Sequence, residues 1–267
     1  MRRVSLFFES ATVPPCPDMS KTHTANRRPI PILVYHQIAQ APPKGSPFRS
    51  LYVAPQAFAR QMAWLKLLGY RGLSMSALQP YLRGDKEGKV VGITFDDGYL
   101  NNLSQALPVL VKQGFSSTCY VVSGLLGKTN TWDEHLGIAQ SPLMNESQVR
   151  QWIDAGQEAG SHTRRHIDLT ASDEEACRIE MTLGKTELES VVRQPVDHFC
   201  YPYGHYESRH RVMADALGFV TATTTRRSRC HAQTDLLQLP RVPVLRSTSL
   251  PVFWLKIATS YEDRRKK

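Results

Sequence analysis

Long apolar runs are missing from this 267-residue sequence: no stretch approaches the ~20 consecutive apolar residues of a membrane span, so no transmembrane segment is expected. Cysteine is sparse. The five cysteines (Cys16, Cys119, Cys177, Cys200, Cys230) are odd in number, far apart and never at C-x-x-C spacing, which excludes a dense disulfide framework and a cysteine zinc site. No secretory leader is expected from the start as written, because the apolar stretch Val4 to Phe8 behind Met1-Arg2-Arg3 is short and broken by Glu9. As written the chain reads as cytoplasmic, and a different true start would make it periplasmic or exported. The formal charge of +9 sits largely in pairs such as Arg27-Arg28 and Arg226-Arg227 and in the tail Arg264 to Lys267. No basic stripe with interleaved aromatics is present, so nucleic acid is not an expected partner.

What is present is ordinary for a globular domain, 41% hydrophobic and 21% charged, with no internal repeat. Residues 1–29 are rich in Pro, Ser, Thr and Arg and read as an N-terminal extension; residues 30–260 read as one domain. Short apolar runs suited to buried strands lie at 31–36, 90–95, 118–122, 158–162, 199–204, 219–225 and 239–244. Helical spacing separates several of them: Phe58, Met62 and Leu65; Leu103 to Leu110; Val149, Trp152 and Ile153 after Asn145; and Ala176, Ile179 and Leu183 after a Ser172/Glu175 capping box. Residues 123–144 read as a long connection holding Trp132-Asp133, of the length that is usually functional. Strands alternating with helices imply an α/β fold with a parallel sheet, and about seven strands suggest barrel closure.

Polar residues gather where the strands end: His36, Asp96, Asp97, His162 and Tyr203. In α/β barrels that face carries the site. Asp96-Asp97-Gly98 closes a strongly apolar strand, and the two carboxylates can share a cavity only if the chain turns there. His162 and His166 stand at i and i+4 and would share a face if the segment turned helically. Taken singly, Asp-Asp-Gly is a common solvated turn and His-x-x-x-His a common surface pair. Together they offer two histidines and a carboxylate with an open position, the donor set of a catalytic zinc or similar divalent metal, with one aspartate as ligand and its neighbour as base. The Pro202-Tyr203-Gly204 turn could aim an amide at an oxyanion, and His36 could protonate a leaving amine.

At these residues the sequence resembles the polysaccharide deacetylases of the NodB-homology type, carbohydrate esterase family 4. Thr94-Phe95-Asp96-Asp97-Gly98, His162-Thr163-x-x-His166 and Phe199-x-Tyr201-Pro202-Tyr203-Gly204 match its three motifs in order, and the resemblance spans about residues 30–250. It implies a distorted (β/α)7 barrel, a divalent metal, usually zinc, on Asp97, His162 and His166, Asp96 as general base, the Tyr203 amide at the oxyanion, and an acetylated glycan as substrate. Many members carry an arginine where Cys200 stands and a late Leu-x-His that supplies the acid; this chain has neither. Leu33-Val34-Tyr35-His36 and Leu239-Pro240-Arg241 instead resemble the branch acting on poly-N-acetylglucosamine and related exopolysaccharides. That likeness assigns the acid to His36, and Arg241 is taken to stand in for the missing arginine. Two other functions fit the same residues: hydrolysis of a small amide or cyclic imide, and glycan binding without catalysis.

Overall fold

The computed structural model describes residues 28–265. In chain order the elements are β1 (Ile32–Tyr35), β2 (Gln37–Ile38), β3 (Tyr52–Val53), α1 (Pro55–Leu67), β4 (Arg71–Leu73), α2 (Met75–Arg83), β5 (Val90–Phe95), α3 (Leu107–Gln113), β6 (Thr118–Val121), α4 (Glu146–Asp154), β7 (Glu158–Ser161), α5 (Glu174–Val192), β8 (His198–Cys200), α6 (Ser208–Ala216), β9 (Thr221–Arg227), β10 (Leu239–Pro243) and α7 (Leu250–Ala258). Seven parallel strands, β1 and β5 through β10, close into a barrel, because β1 pairs with both β5 and β10 and sets Leu33 beside Ile93 and Val242. The sequence-derived (β/α)7 expectation is met. The departure from regularity is β4, which lies along only the first half of β5 and places Arg71 beside Val90.

Strands of such a barrel are covered on both faces, which is why β1, β5, β6 and β8 are buried at every position. Alternation then sorts their side chains. Tyr35 and Phe95 meet Phe58 of α1 and Trp152 of α4 in an aromatic cluster with ring centroids 5.1–5.8 Å apart. Thr94 takes the opposite side, where it receives a hydrogen bond from Arg241. Residues that begin strands build a polar cluster at the N-terminal end of the barrel. Glu158 Oε2 accepts from the amides of Met75 (3.0 Å) and Ser76 (3.3 Å) at the start of α2 and from the Thr118 hydroxyl, while His198 Nε2 meets Ser76 Oγ at 2.8 Å.

Several local expectations are corrected. Strand β4 and helices α2 and α7 were not expected; α2 carries Pro80 inside it and buries only Met75, Leu78, Tyr81 and Leu82, a short pattern that tertiary packing completes. The helix expected from Leu103 begins as a π-type turn, Asn102–Ala106, before α3. Helix α5 is capped by Asp173, which accepts from the Ala176 amide, rather than by Ser172. Its buried face is Cys177, Met181, Gly184 and Leu188, one residue out of phase with the Ala176, Ile179, Leu183 face; Ile179 is exposed. The 123–144 connection is built, with 3-10 turns at Ser123–Leu125 and Thr131–Leu136 and a bridge between Thr129 and Pro142. Of the expected extension, residues 1–27 lie outside the described residues, Cys16 among them; the other four cysteines are free and buried.

Candidate active site

All seven residues singled out from the sequence converge at the C-terminal mouth of the barrel. Six of them (His36, Asp96, Asp97, His162, His166 and Tyr203) line one cavity of about 300 Å3, and Arg241 lies directly behind Asp96. The strand ladder runs one residue past β5, since the Asp96 amide still donates to Tyr35 O (2.9 Å). Asp97 then adopts φ 76° and Gly98 φ 78°, and this left-handed turn is what lets adjacent carboxylates enter the same cavity. Of the six non-glycine residues with left-handed φ among the described residues, five belong here: Phe48, Asp97, Thr163, His166 and Tyr203. Backbone in that region is unfavourable for an L-residue and survives where surrounding structure enforces it.

The two histidines do not share a helical face as expected. Residues 162–166 form an irregular loop in which Thr163 and His166 are both left-handed, and the loop is pinned to α5. Buried Glu180 accepts through Oε2 from the amides of Arg164 (3.1 Å) and Arg165 (2.7 Å). Glu187 binds Arg164 Nε (2.7 Å) and the Ser123 hydroxyl (2.7 Å). At Gly184 the helix backbone meets the loop so closely that an added Cβ would stand 2.7 Å from Thr163 C. The sequence reading missed Glu180 and Gly184, although a glycine in the middle of a 19-residue helix was a signal for close approach.

Asp97 Oδ1 is 3.5 Å from Nε2 of His162 and 3.5 Å from Nε2 of His166. These separations are long for hydrogen bonds. They match the edge of a tetrahedron, about 3.4 Å, that metal–ligand bonds of about 2.0–2.1 Å would produce. The tautomers agree. His162 Nδ1 lies 2.8 Å from the Cys200 carbonyl, which can only accept, so Nδ1 carries a proton and, in the neutral imidazole that a metal requires, the Nε2 lone pair faces Asp97. Burial pushes His166 down to about 3, which leaves its imidazole neutral. The donor set therefore fits a divalent metal. In a second group with ligand-type atoms in range, Asp96, His162 and Cys200, two members, Asp96 and Cys200, already accept from a cation, the guanidinium of Arg241.

Arg241 grips Asp96 with both arms, Nη1 to Oδ1 at 2.6 Å and Nη2 to Oδ2 at 2.7 Å, and is fixed by Nε to Thr224 O (2.9 Å) and Nη2 to Cys200 Sγ (3.2 Å). Burial by itself would raise the Asp96 carboxyl, but the Arg241 charge and hydrogen bonds outweigh it and hold Asp96 below its ordinary value. His36 follows β1 and places Nε2 3.8 Å from Asp96 Oδ2 with its side chain partly open to the cavity. Trp132 of the 123–144 connection stacks on His166 (centroids 4.6 Å apart), Tyr203 meets the same ring edge-on at 4.6 Å, and the Tyr203 hydroxyl donates to Asp133 at 2.9 Å.

A family model described as polysaccharide deacetylase matches residues 83–222. The chain belongs to the polysaccharide deacetylase family. YxkH of Bacillus subtilis, a polysaccharide deacetylase by name, is 30% identical over 217 residues, 80% of this chain and 71% of YxkH. Among solved structures, the deacetylase PplD of Streptococcus pyogenes, determined in complex with acetate, superposes with a TM-score of 0.76 at 27% identity and covers 87% of this chain and 99% of PplD. BA0330 of Bacillus anthracis, likewise a polysaccharide deacetylase by name, gives a TM-score of 0.71 at 28% identity, covering 86% of this chain and 69% of BA0330. The deacetylase is accordingly a hydrolase of acetyl groups on carbohydrate. No helix among its described residues is long and apolar enough to cross a membrane.

Proposed function

We propose that this deacetylase is metal-dependent and removes N-acetyl groups from hexosamine residues of an exopolysaccharide such as poly-N-acetylglucosamine. The observation that carries the reading is the Asp97, His162, His166 triangle, with two edges of 3.5 Å, set beside an Arg241-clamped Asp96. Asp97, His162 and His166 would hold the metal, zinc by their donor chemistry. When bound, it supplies Lewis-acid polarisation of the acetyl carbonyl and acidification of a water. Asp96 takes the proton of the attacking water, and Arg241 keeps that carboxylate ionised and aimed. The Tyr203 backbone amide donates to the oxyanion as the tetrahedral centre forms. His36, beside Asp96, returns a proton to the departing nitrogen, without which amine expulsion is unfavourable. An acetate-release assay on a panel of N- and O-acetylated glycans, with and without chelator, tests the proposal. Release from N-acetylated hexosamine polymers that stops with chelator is expected; undiminished release in chelator, or turnover of small amides alone, overturns it.

A further inference from the structure

We propose that Phe48 and Asp133 form a binding site for a pyranose ring of the glycan, Phe48 offering its face to the ring's C–H surface and Asp133 accepting from a sugar hydroxyl. The inference rests on the deacetylase reading and assigns residues that none of the three sequence motifs contains. Both residues line the catalytic cavity with Asp96 and Asp97, and they enter it from different segments, the loop after β2 and the 123–144 connection.

Phe48 is a bulky aromatic at φ 50°, ψ 17°, a left-handed conformation that asparagine or glycine would adopt with less strain. The turn is fixed around it by Leu51 N to Phe48 O (2.9 Å) and by Arg49 Nε to Pro42 O (2.7 Å). Strain of this kind is normally offset by burial, yet Phe48 remains 46% exposed. A strained backbone that displays a half-exposed ring at the mouth of a reaction cavity has the character of a ligand contact. Asp133 is buried as a residue and makes a single hydrogen bond among the described residues, from the Tyr203 hydroxyl to Oδ1. A carboxylate accepts about four hydrogen bonds, so it retains capacity towards the cavity it lines. The nearby lining of Leu51, Ile138 and Leu245 is apolar.

The chemistry of that combination selects the ligand. A pyranose ring presents weakly positive C–H groups on its faces and hydroxyls at its edge, which complements the negative face of an aromatic ring and a carboxylate acceptor together. An acyl chain would cover Phe48 but desolvate the Asp133 carboxylate with no partner beyond the Tyr203 hydroxyl, which is unfavourable. A few oriented polar groups in an otherwise apolar cavity are what fix the pose of a small ring.

The test compares an N-acetylated chito-oligosaccharide with p-nitrophenyl acetate, which has no sugar ring. Phe48→Asn keeps the left-handed turn and removes the aromatic face; the ratio of oligomer to ester kcat/KM should fall about tenfold, mainly through KM, and Phe48→Tyr should restore it. Asp133→Asn, which can still accept from Tyr203, should lower the same ratio by about threefold or more. Parallel losses on both substrates would make Phe48 and Asp133 supports of the catalytic residues and overturn the proposal. An unchanged ratio in a folded Phe48→Asn variant overturns it as well. Wild-type protein that hydrolyses the ester but no glycan would instead overturn the deacetylase reading and this inference with it, so the two failures are told apart.

Discussion

Replacing Gly184 by alanine sets two magnitudes against each other. In a helix interior alanine is favoured over glycine by about 1 kcal/mol, and Gly184 sits well inside the 19-residue α5, so propensity alone forecasts a more stable protein. The structure forecasts the opposite. The new Cβ would lie 2.7 Å from Thr163 C, 2.9 Å from Thr163 Cα and 3.0 Å from Arg164 N. All three are backbone atoms, so no rotamer change relieves the contact. The loop must retreat by about 0.7 Å to reach ordinary van der Waals distance, and forced overpacking of this kind costs about 1–3 kcal/mol. Taking the middle of that range, the net effect is destabilisation by about 1 kcal/mol, a Tm lower by about 2–4 °C.

The loop that retreats is the one between His162 and His166, so the greater consequence falls on the proposed metal site. Changes that shift the orientation of ligands without touching the metal typically weaken binding by about 10- to 100-fold. Competition against a chromogenic chelator for zinc, with thermal unfolding of the apo and loaded protein, reads both effects. Glu180→Gln, which weakens the clamp on the Arg164 and Arg165 amides without adding volume, should weaken zinc binding in the same direction. A Gly184→Ala protein with raised Tm and unaltered zinc affinity would refute the argument, because it would show that the loop is not held by its contact with α5.

Three further outcomes follow from the same geometry. Asp96→Asn should retain about one equivalent of metal by elemental analysis and lose about 10²-fold or more in deacetylation, whereas His162→Ala should lose most of the metal; metal loss in the Asp96 variant would mean that the roles of the two aspartates are reversed. His36→Ala should slow de-N-acetylation by about 10²- to 10⁴-fold and an activated acetyl ester much less, since that leaving group needs no proton; equal losses would make His36 a positioning residue. Glu158 is drawn up by burial but held at about 2 by His198 and the hydroxyls of Ser76 and Thr118. A depressed carboxylate stabilises the fold above its unfolded pKa and loses that contribution as pH falls through the folded one, so the stability difference between wild type and Glu158→Gln should shrink by about 3 kcal/mol between about pH 5 and pH 2 in denaturant titrations; a constant difference would contradict it.

The legible parts of this fold are those in which neighbouring residues carry the information. The apolar run Val90–Phe95 states a doubly covered strand, and Asp96-Asp97-Gly98 states the turn that ends it, because only a local left-handed bend brings both carboxylates inward. Helix α2 was invisible for the converse reason. Its Pro80 argues locally against a helix, and the local caps at Ser74 and Gly84 are joined by a distant one, Glu158 on β7, which accepts from the Met75 and Ser76 amides. The phase of α5 was misread because Ala176, Ile179 and Leu183 also make a helical stripe, and the mid-helix Gly184 signals a close approach without saying that its neighbour is the loop at Thr163.

Arg241 shows how a site can be completed by a residue far along the chain from its partner. The guanidinium that clamps Asp96 arrives from β10, and it passes the small Cys200 side chain on β8 at 3.2 Å. Volume explains the pairing: with a long side chain already entering the barrel at 241, position 200 has to be small, and a thiol both fits and accepts from Nη2. The buried charge is tolerated because every arm of the guanidinium is engaged, by Asp96, Thr94, Thr224 and Cys200. Removing Asp96 alone would strand that charge, which is why the isosteric Asp96→Asn, still able to accept from Arg241, is the informative substitution and Asp96→Ala is not. Sequence spacing cannot display a partnership between residues 145 positions apart, whereas barrel closure between β1, β5 and β10 makes it unavoidable.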